Sequence, residues 1–357
     1  MPDITFYDGL HDYAADTDMS ARWSLPASAG RIAMTTLGRA SGPSFRPGLG
    51  SGMAAIASIL PESTQKFGVQ FRIRGTSVGN TPAFFAAGSL ARAAVYRDVN
   101  GTFSAGSYFK GTDVADLLSL RLSSGRQVEL CHAVQTDGTA SALMSTLVVG
   151  TSATALTTSS QLYHVELVAD LSTADARILL YIDGQLEIDA TINRDRVAPV
   201  AGQSVDRIEY FAFSGTHTTA ASNPSFSDVI AYSYSPEEAL AGMGPLAVDT
   251  VYPAGLGNPS GTGVTVASGS SVIRDIDSGA VTTGEVYAAR LTLRTTQGQV
   301  DTPYRARLGL IDGESEIAHI DTDRVETASP VIRSVDISDL ATTVEAMLGM
   351  QLNIEAL

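Results

Sequence analysis

The 357-residue chain is long enough for two domains; it is 44% hydrophobic but only 17% charged, against roughly a quarter in ordinary soluble domains, and 33 glycines fill part of that gap. With 38 acidic against 23 basic residues the net charge is -15, a field that repels phosphate backbones and anionic bilayers and so excludes nucleic acid as a partner. The single cysteine, Cys131, excludes an intrachain disulfide framework and a thiolate metal site, and no cofactor is expected.

In chain order, Met1 to Asp8 lacks the basic and apolar regions of a secretory signal. Met53 to Leu60 fits a strand better than a helix. Phe67 to Arg74 is a strand with Phe67, Val69, Phe71 and Ile73 on one face. Asn100-Gly101 separates two short apolar runs as a hairpin turn would, and Asp137-Gly138 repeats that punctuation. The uncharged stretch Gly138 to His164 is too rich in Ser, Thr and Gly for membrane insertion and reads as two or three strands.

Tyr163, Val165, Leu167 and Ala169 alternate with His164 and Glu166, a half-buried strand with His164 facing solvent. The strongest local signal follows. Ile178 to Ile182 leads into Asp183-Gly184, then Leu186, Ile188, Ala190 and Ile192 alternate with Gln185, Glu187, Asp189 and Thr191. Asp-Gly suits the two positive-φ positions of a type I′ turn, so this is a hairpin. Ser235-Pro236-Glu237-Glu238 carries the capping box of a short helix. The turn-rich passage from Gly242 to Gly263 places a domain junction near Pro245 to Asn258. Asp312-Gly313 marks a further hairpin between Leu308 to Ile311 and Glu314 to Ile320. A last helix is expected from Ser338 through Leu340, Val344, Met347 and Leu348, stopped by Gly349.

Short strands at this spacing imply a sandwich or barrel. The order of Tyr163 to Leu167, Leu180 to Gly184, Phe226 to Ile230 and Ser235 to Leu240 resembles the closing strands of concanavalin A-like, laminin G-like jelly rolls, which carry Trp where this chain has Tyr163. Phe6 to Tyr13 with Arg22-Trp23, and Gly244 to Pro253, resemble segments of such domains in tailed-bacteriophage structural proteins. The resemblance spans residues 1 to 253. It implies a jelly-roll domain over 1–245; the turn-rich linker over 246–263, the Asp312-Gly313 hairpin and the last helix add a smaller β-rich C-terminal domain over 264–357, and the chain as a whole is expected to be all-β. It also implies a non-enzymatic virion protein on the particle surface, in a tail fibre, baseplate or capsid decoration, assembled in the host cytoplasm. Its partners would be other virion proteins and further copies of itself, a trimer being favoured, with a host surface glycan as an additional ligand. The alternatives are a carbohydrate-binding receptor-recognition protein and a glycoside hydrolase.

A fold does not fix function, which depends on the chemistry of particular residues. Gly75-Thr76-Ser77-Val78-Gly79 matches a nucleophile elbow, but Gly79 to Pro82 cannot open the helix that motif needs, so an ordinary turn is expected. Glu187 and Asp189 share one strand face at a spacing useful to paired glycosidase carboxylates. The third carboxylate usual in glycosidases of this fold is replaced by Thr191, and the solvated-face reading is preferred. His11, His132, His164, His217 and His319 show no metal-ligand spacing. Asp12, Asp16 and Asp18, like Asp321 and Asp323, lack the pattern of a calcium loop and are expected to be surface acids. His217 and Asn223 lie in a long polar loop from which they could hydrogen-bond a glycan, and Tyr232 and Tyr234 could stack on a sugar or pack in the core.

Overall fold

A computed structural model describes residues 2–10, 13, 19, 22–23, 32–38, 43–47, 54–74, 84–88, 118–135, 144–157, 160–194, 206–215, 224–248, 252–253, 270–277, 285–295, 305–322, 331–340 and 343–357. The Asn100-Gly101 and Asp137-Gly138 turns lie outside these residues. The chain divides into two compact units, residues 1–10 with 22–248 and residues 11–21 with 249–357. The expected all-β architecture, a jelly-roll sandwich and then a smaller β-rich region with a short helix, is what the chain adopts.

In the first unit the strands are β1 (Asp3–Asp8), β2 (Ile32–Thr35), β3 (Ser44–Pro47), β4 (Ala54–Thr64), β5 (Lys66–Arg74), β6 (Phe85–Gly88) and β7 (Leu118–Leu122). They continue as β8 (Gln127–Gln135), β9 (Met144–Ala155), β10 (Leu162–Asp170), β11 (Asp175–Ile182), β12 (Gln185–Asn193), β13 (Ile208–Gly215) and β14 (Ser225–Ser233). One sheet has eight strands in the order β12-β11-β10-β5-β14-β3-β2, with β1 also on β14; the other has six, β4-β13-β6-β7-β8-β9. Phe67, Val69, Phe71 and Ile73 of β5 stand opposite Ala169, Leu167, Val165 and Tyr163 of β10, all buried. Facing them from the other sheet, Phe213 meets Phe71 at 4.9 Å between centroids and Phe85 stacks on Phe71 at 5.4 Å. Edge-to-face aromatic packing of this kind adds about 0.5–1.5 kcal/mol per pair beyond the area buried.

The hairpin of β11 and β12 turns at Asp183 (φ 50°) and Gly184 (φ 78°), both left-handed as a type I′ turn requires. Two helix expectations change. Residues 235–240 form a turn and no helix. The capping bond survives, Glu238 Oε2 accepting the Ser235 N–H at 2.8 Å. The carbonyls of Pro236 and Glu238, which a helix would use internally, instead accept from Lys66 Nζ at 2.5 and 3.2 Å.

The second unit holds β15 (Tyr252–Pro253), β16 (Ser270–Asp277), β17 (Arg290–Thr295), β18 (Ala306–Asp312), β19 (Ser315–Asp321), β20 (Val331–Asp336), helix α1 (Val344–Leu348) and β21 (Gln351–Ala356). Its sheets run β15-β16-β21-β18-β19 and β17-β20. The β18–β19 turn sits one residue later than the sequence suggests, at Gly313 and Glu314, because Asp312 pairs with Ser315. Gly313 alone has positive φ (60°), which fits a type II′ turn. Helix α1 is capped by Thr343, not Ser338; the Ser338 hydroxyl is taken by the Ala289 N–H at 2.9 Å. After the helix, Leu352 and Ile354 lie in β21 and pack with Met347 into this unit's own core.

Candidate functional site

The outer face of the eight-stranded sheet is closed by its own chain. After β14, residues 234–248 run across β5, β10 and β11 as an extended strap whose backbone is held by side chains instead of a strand ladder. Glu166 Oε1 accepts the Met243 N–H at 2.7 Å and Oε2 the Gly244 N–H at 3.3 Å. Gln70 Oε1 accepts the Leu246 N–H at 3.0 Å, and Asp228 Oδ1 accepts that of Val248 at 3.1 Å. Arg72 lies 3.2 Å from Asp228 Oδ2, and the Tyr234 hydroxyl donates to the Ala241 carbonyl. Antiparallel register explains the convergence. Ser227, Arg72 and His164 form one cross-strand row, and Ile230, Gln70, Glu166 and Tyr181 form the next. Asp228 reaches the strap because β14 bulges between Ser227 and Ile230, with Asp228 at φ 48°.

Glu166 is fully buried. Burial pushes its carboxyl pKa up, and hydrogen bonds from Tyr232, Met243 and Gly244 oppose that rise. His164 is 1% exposed, so it is a core residue and not the solvent-facing one the alternation suggested. Burial, and then the charge of Arg72, lower its pKa to about 4, leaving it neutral at pH 7. Gln70 Oε1 already accepts from Leu246, so the 2.7 Å contact with His164 Nε2 assigns the ring proton to Nε2. Apolar packing completes the strap: Tyr232, Tyr234, Val168, Leu179, Ile230 and Val248 form one cluster.

The carboxylates singled out in the sequence serve other ends. Glu187 Oε2 accepts the N–H groups of Ala153 and Thr154 at 2.7 and 3.2 Å, and Oε1 the Thr154 hydroxyl at 2.6 Å. It thereby joins β12, at the edge of one sheet, to β9, at the edge of the other. Burial raises its pKa, but these hydrogen bonds outweigh that and hold it below the usual carboxylate range. Asp189 makes a two-pronged pair with Arg177 at 3.0 and 2.8 Å, and Asp321 makes one with Arg307 at 2.7 and 3.0 Å.

Tyr232 and Tyr234 are 1% and 8% exposed and pack edge to face at 5.5 Å, Tyr232 donating to Glu166. As placed, both belong to the core beneath the strap and offer no ring face to a sugar. Cys131 is buried in β8, and burial pushes its thiol up to about 11. Ser77, His11, His217, Asn223, Asp12, Asp16, Asp18 and Asp323 lie outside the described residues. Among the described residues no three His, Cys, Asp or Glu side chains gather as a metal site. Gln70, His164, Glu166 and Asp228 escaped the sequence reading because alternation assigns polar strand positions to solvent; the glycine-rich run Gly242 to Pro245 was the available sign of a covering segment.

Fold and site together define a two-sheet β-sandwich with a self-covered outer face. No protein-family model matches the sequence, and no curated protein sequence is significantly similar. Solved structures that superpose include the globular domain of T. cruzi calreticulin (10% identity, 66% of this chain and 89% of that one, TM-score 0.39). LamAcat from Zobellia galactanivorans matches at 12% identity over 65% of this chain and 98% of that one, TM-score 0.37. A carbohydrate-binding module, CBM66 from Bacillus subtilis, matches at 14% identity over 57% and 96%, TM-score 0.30.

Proposed function

We propose that this chain is a non-enzymatic structural protein on the surface of a tailed-bacteriophage particle, acting in assembly as a homo-oligomer, with a trimer favoured. The observation that carries the non-catalytic part is the use of Glu187. A retaining or inverting glycosidase needs two carboxylates free to meet substrate, whereas Glu187 is spent on three hydrogen bonds across the sandwich edge and Asp189 on Arg177. The phage setting rests on the resemblance of Phe6 to Tyr13 and Gly244 to Pro253. Glycan recognition is compatible with that role, but it needs an exposed site other than the buried tyrosine pair.

Two experiments test this reading. The purified chain is expected to release no product from mixed β-glucans, alginate, agar or ester substrates; turnover that disappears in Glu187→Gln overturns the non-enzymatic assignment. Mass spectrometry of phage particles purified from a host carrying the gene is expected to find the chain. Its absence from particles, together with a monomer at every concentration in sedimentation, overturns the assembly role.

A further inference from the structure

A second feature of the outer face lies at the β3–β14–β5 end, away from the strap's glycines. Ser225 of β14 stands opposite Arg74 of β5, and Ser227 opposite Arg72. On the other flank Phe226 pairs with Phe45, which sets Arg46 of β3 beside Ser225, and Arg46 Nε donates to Ser225 Oγ at 3.1 Å. Three arginines therefore flank two serines on one face of the sheet, in a chain whose net charge is -15. Arg72 has Asp228 at 3.2 Å, and Arg74 Nε donates to the Leu37 carbonyl at 3.2 Å. Among the described residues no carboxylate lies against Arg46, whose charged neighbour is Arg74.

The serines supply an independent observation. Both are 2% exposed, and the Ser227 hydroxyl is buried with no hydrogen-bond partner. A buried hydroxyl without a partner is destabilising, so its persistence calls for a group that can accept a hydrogen bond, and the half-buried guanidinium groups beside it favour one that carries negative charge. The two hydroxyls are roughly 7 Å apart along one face of β14, a spacing that the oxygens of one small anion can bridge. Arginine presents its N–H groups in a fork matched to carboxylate and sulfate oxygens.

We propose that Arg46, with the hydroxyls of Ser225 and Ser227 and the flanking Arg74, forms a binding site for a single oxyanion, the carboxylate of an acidic sugar or a free sulfate. Arg46 contributes the Nη donors that Ser225 leaves unused, and Ser227 donates its hydroxyl hydrogen. Weakened binding in variants of Arg46 and Ser227, rather than saturation alone, assigns the anion to this site.

The test is isothermal titration of the full chain with sodium glucuronate, sodium sulfate and, as the neutral control, glucose. Saturable binding of an anion, mutual competition between the two anions and no heat from glucose are expected. Tighter glucuronate binding assigns the site to an acidic sugar, and tighter sulfate binding to the free ion. Arg46→Gln should weaken binding roughly tenfold or more, the worth of one charge-assisted hydrogen bond. Ser227→Ala removes an unpartnered hydroxyl, so it should leave the melting temperature unchanged or raised while still weakening the anion. A structural role for Ser227 would not separate these two readouts. The proposal is overturned if the wild-type chain shows no saturable anion binding, or if both variants bind as the wild type does. It stands or falls independently of the virion reading.

Discussion

The carboxylate of Glu166, fully buried on β10, accepts the backbone N–H of Met243 at 2.7 Å across 77 positions of sequence. A side chain here does what a neighbouring strand would do: it satisfies backbone donors of an extended segment that crosses the sheet instead of joining it. The segment gains burial without presenting a new edge, the feature that makes sheets prone to edge pairing.

Removal of Glu166 is therefore expected to release the strap. Glu166→Ala leaves the Tyr232 hydroxyl and the Met243 and Gly244 amides without an acceptor, a loss of about 2–5 kcal/mol. Urea denaturation measures that loss, and hydrogen exchange at Met243 and Gly244 should accelerate. An unchanged midpoint with both amides still protected would mean that apolar packing holds the strap.

His164 should make the fold sensitive to acid. In the unfolded chain its imidazole takes a proton near pH 6.5, in the folded chain only near 4, so its contribution is complete above about 6.5 and is lost as the pH falls towards 4. The full shift corresponds to about 3 kcal/mol. Glu166 has the opposite sign, because its raised pKa lets the folded chain bind a proton that the unfolded chain does not yet hold. The difference in urea midpoint between wild type and His164→Gln, followed from pH 7 to 4, isolates the histidine. It should shrink on acidification; a constant difference would show that His164 does not titrate in this way.

The hairpin at Asp183-Gly184 was legible in the sequence because its turn residues and its alternation are local. The inner face of β5 was equally so: Phe67, Val69, Phe71 and Ile73 point where period two puts them. The outer face was not. Gln70, His164 and Glu166 occupy positions that alternation assigns to water, and only a segment more than seventy residues downstream of Glu166 covers them. The helix signal at Ser235 failed for a related reason, since a capping box is a local preference and Lys66 competes for the carbonyls that would have extended it. The arginine cluster needed three strands to be set in register.

Gly184 tests the turn itself. At φ 78° a β-branched side chain is strained whatever space is open, so Gly184→Val should cost on the order of 1–3 kcal/mol. A melting temperature equal to wild type would show that the turn rearranges freely.

Glu187 and Asp189 should separate in stability as they do in contacts. Glu187→Ala frees two amides at the sandwich edge that water can reach, and a loss of about 1 kcal/mol or less is expected. Asp189→Asn breaks only an exposed ion pair and should leave the urea midpoint where it was. A larger loss from the Asp189 change would reverse the assignment of Glu187 as the residue that joins the two sheets.

Gly68 offers the sharpest test of the packing under the strap. It lies on β5 directly opposite Tyr232 of β14, and a methyl group placed on it would overlap the Tyr232 ring. That ring cannot swing away cheaply, because its hydroxyl donates to Glu166 and its edge meets Tyr234 at 5.5 Å. Overpacking of this kind costs about 1–3 kcal/mol or more, so Gly68→Ala should be destabilising although alanine suits a strand better than glycine. The cost should depend on the tyrosine. With Tyr232→Leu as background the ring is gone, the added methyl finds space, and Gly68→Ala should become close to neutral, giving a coupling energy of about 1–3 kcal/mol in a double-mutant cycle. Additive effects of the two substitutions would place the penalty in the strand backbone, and Tyr232 would then not be the residue that fixes glycine at position 68.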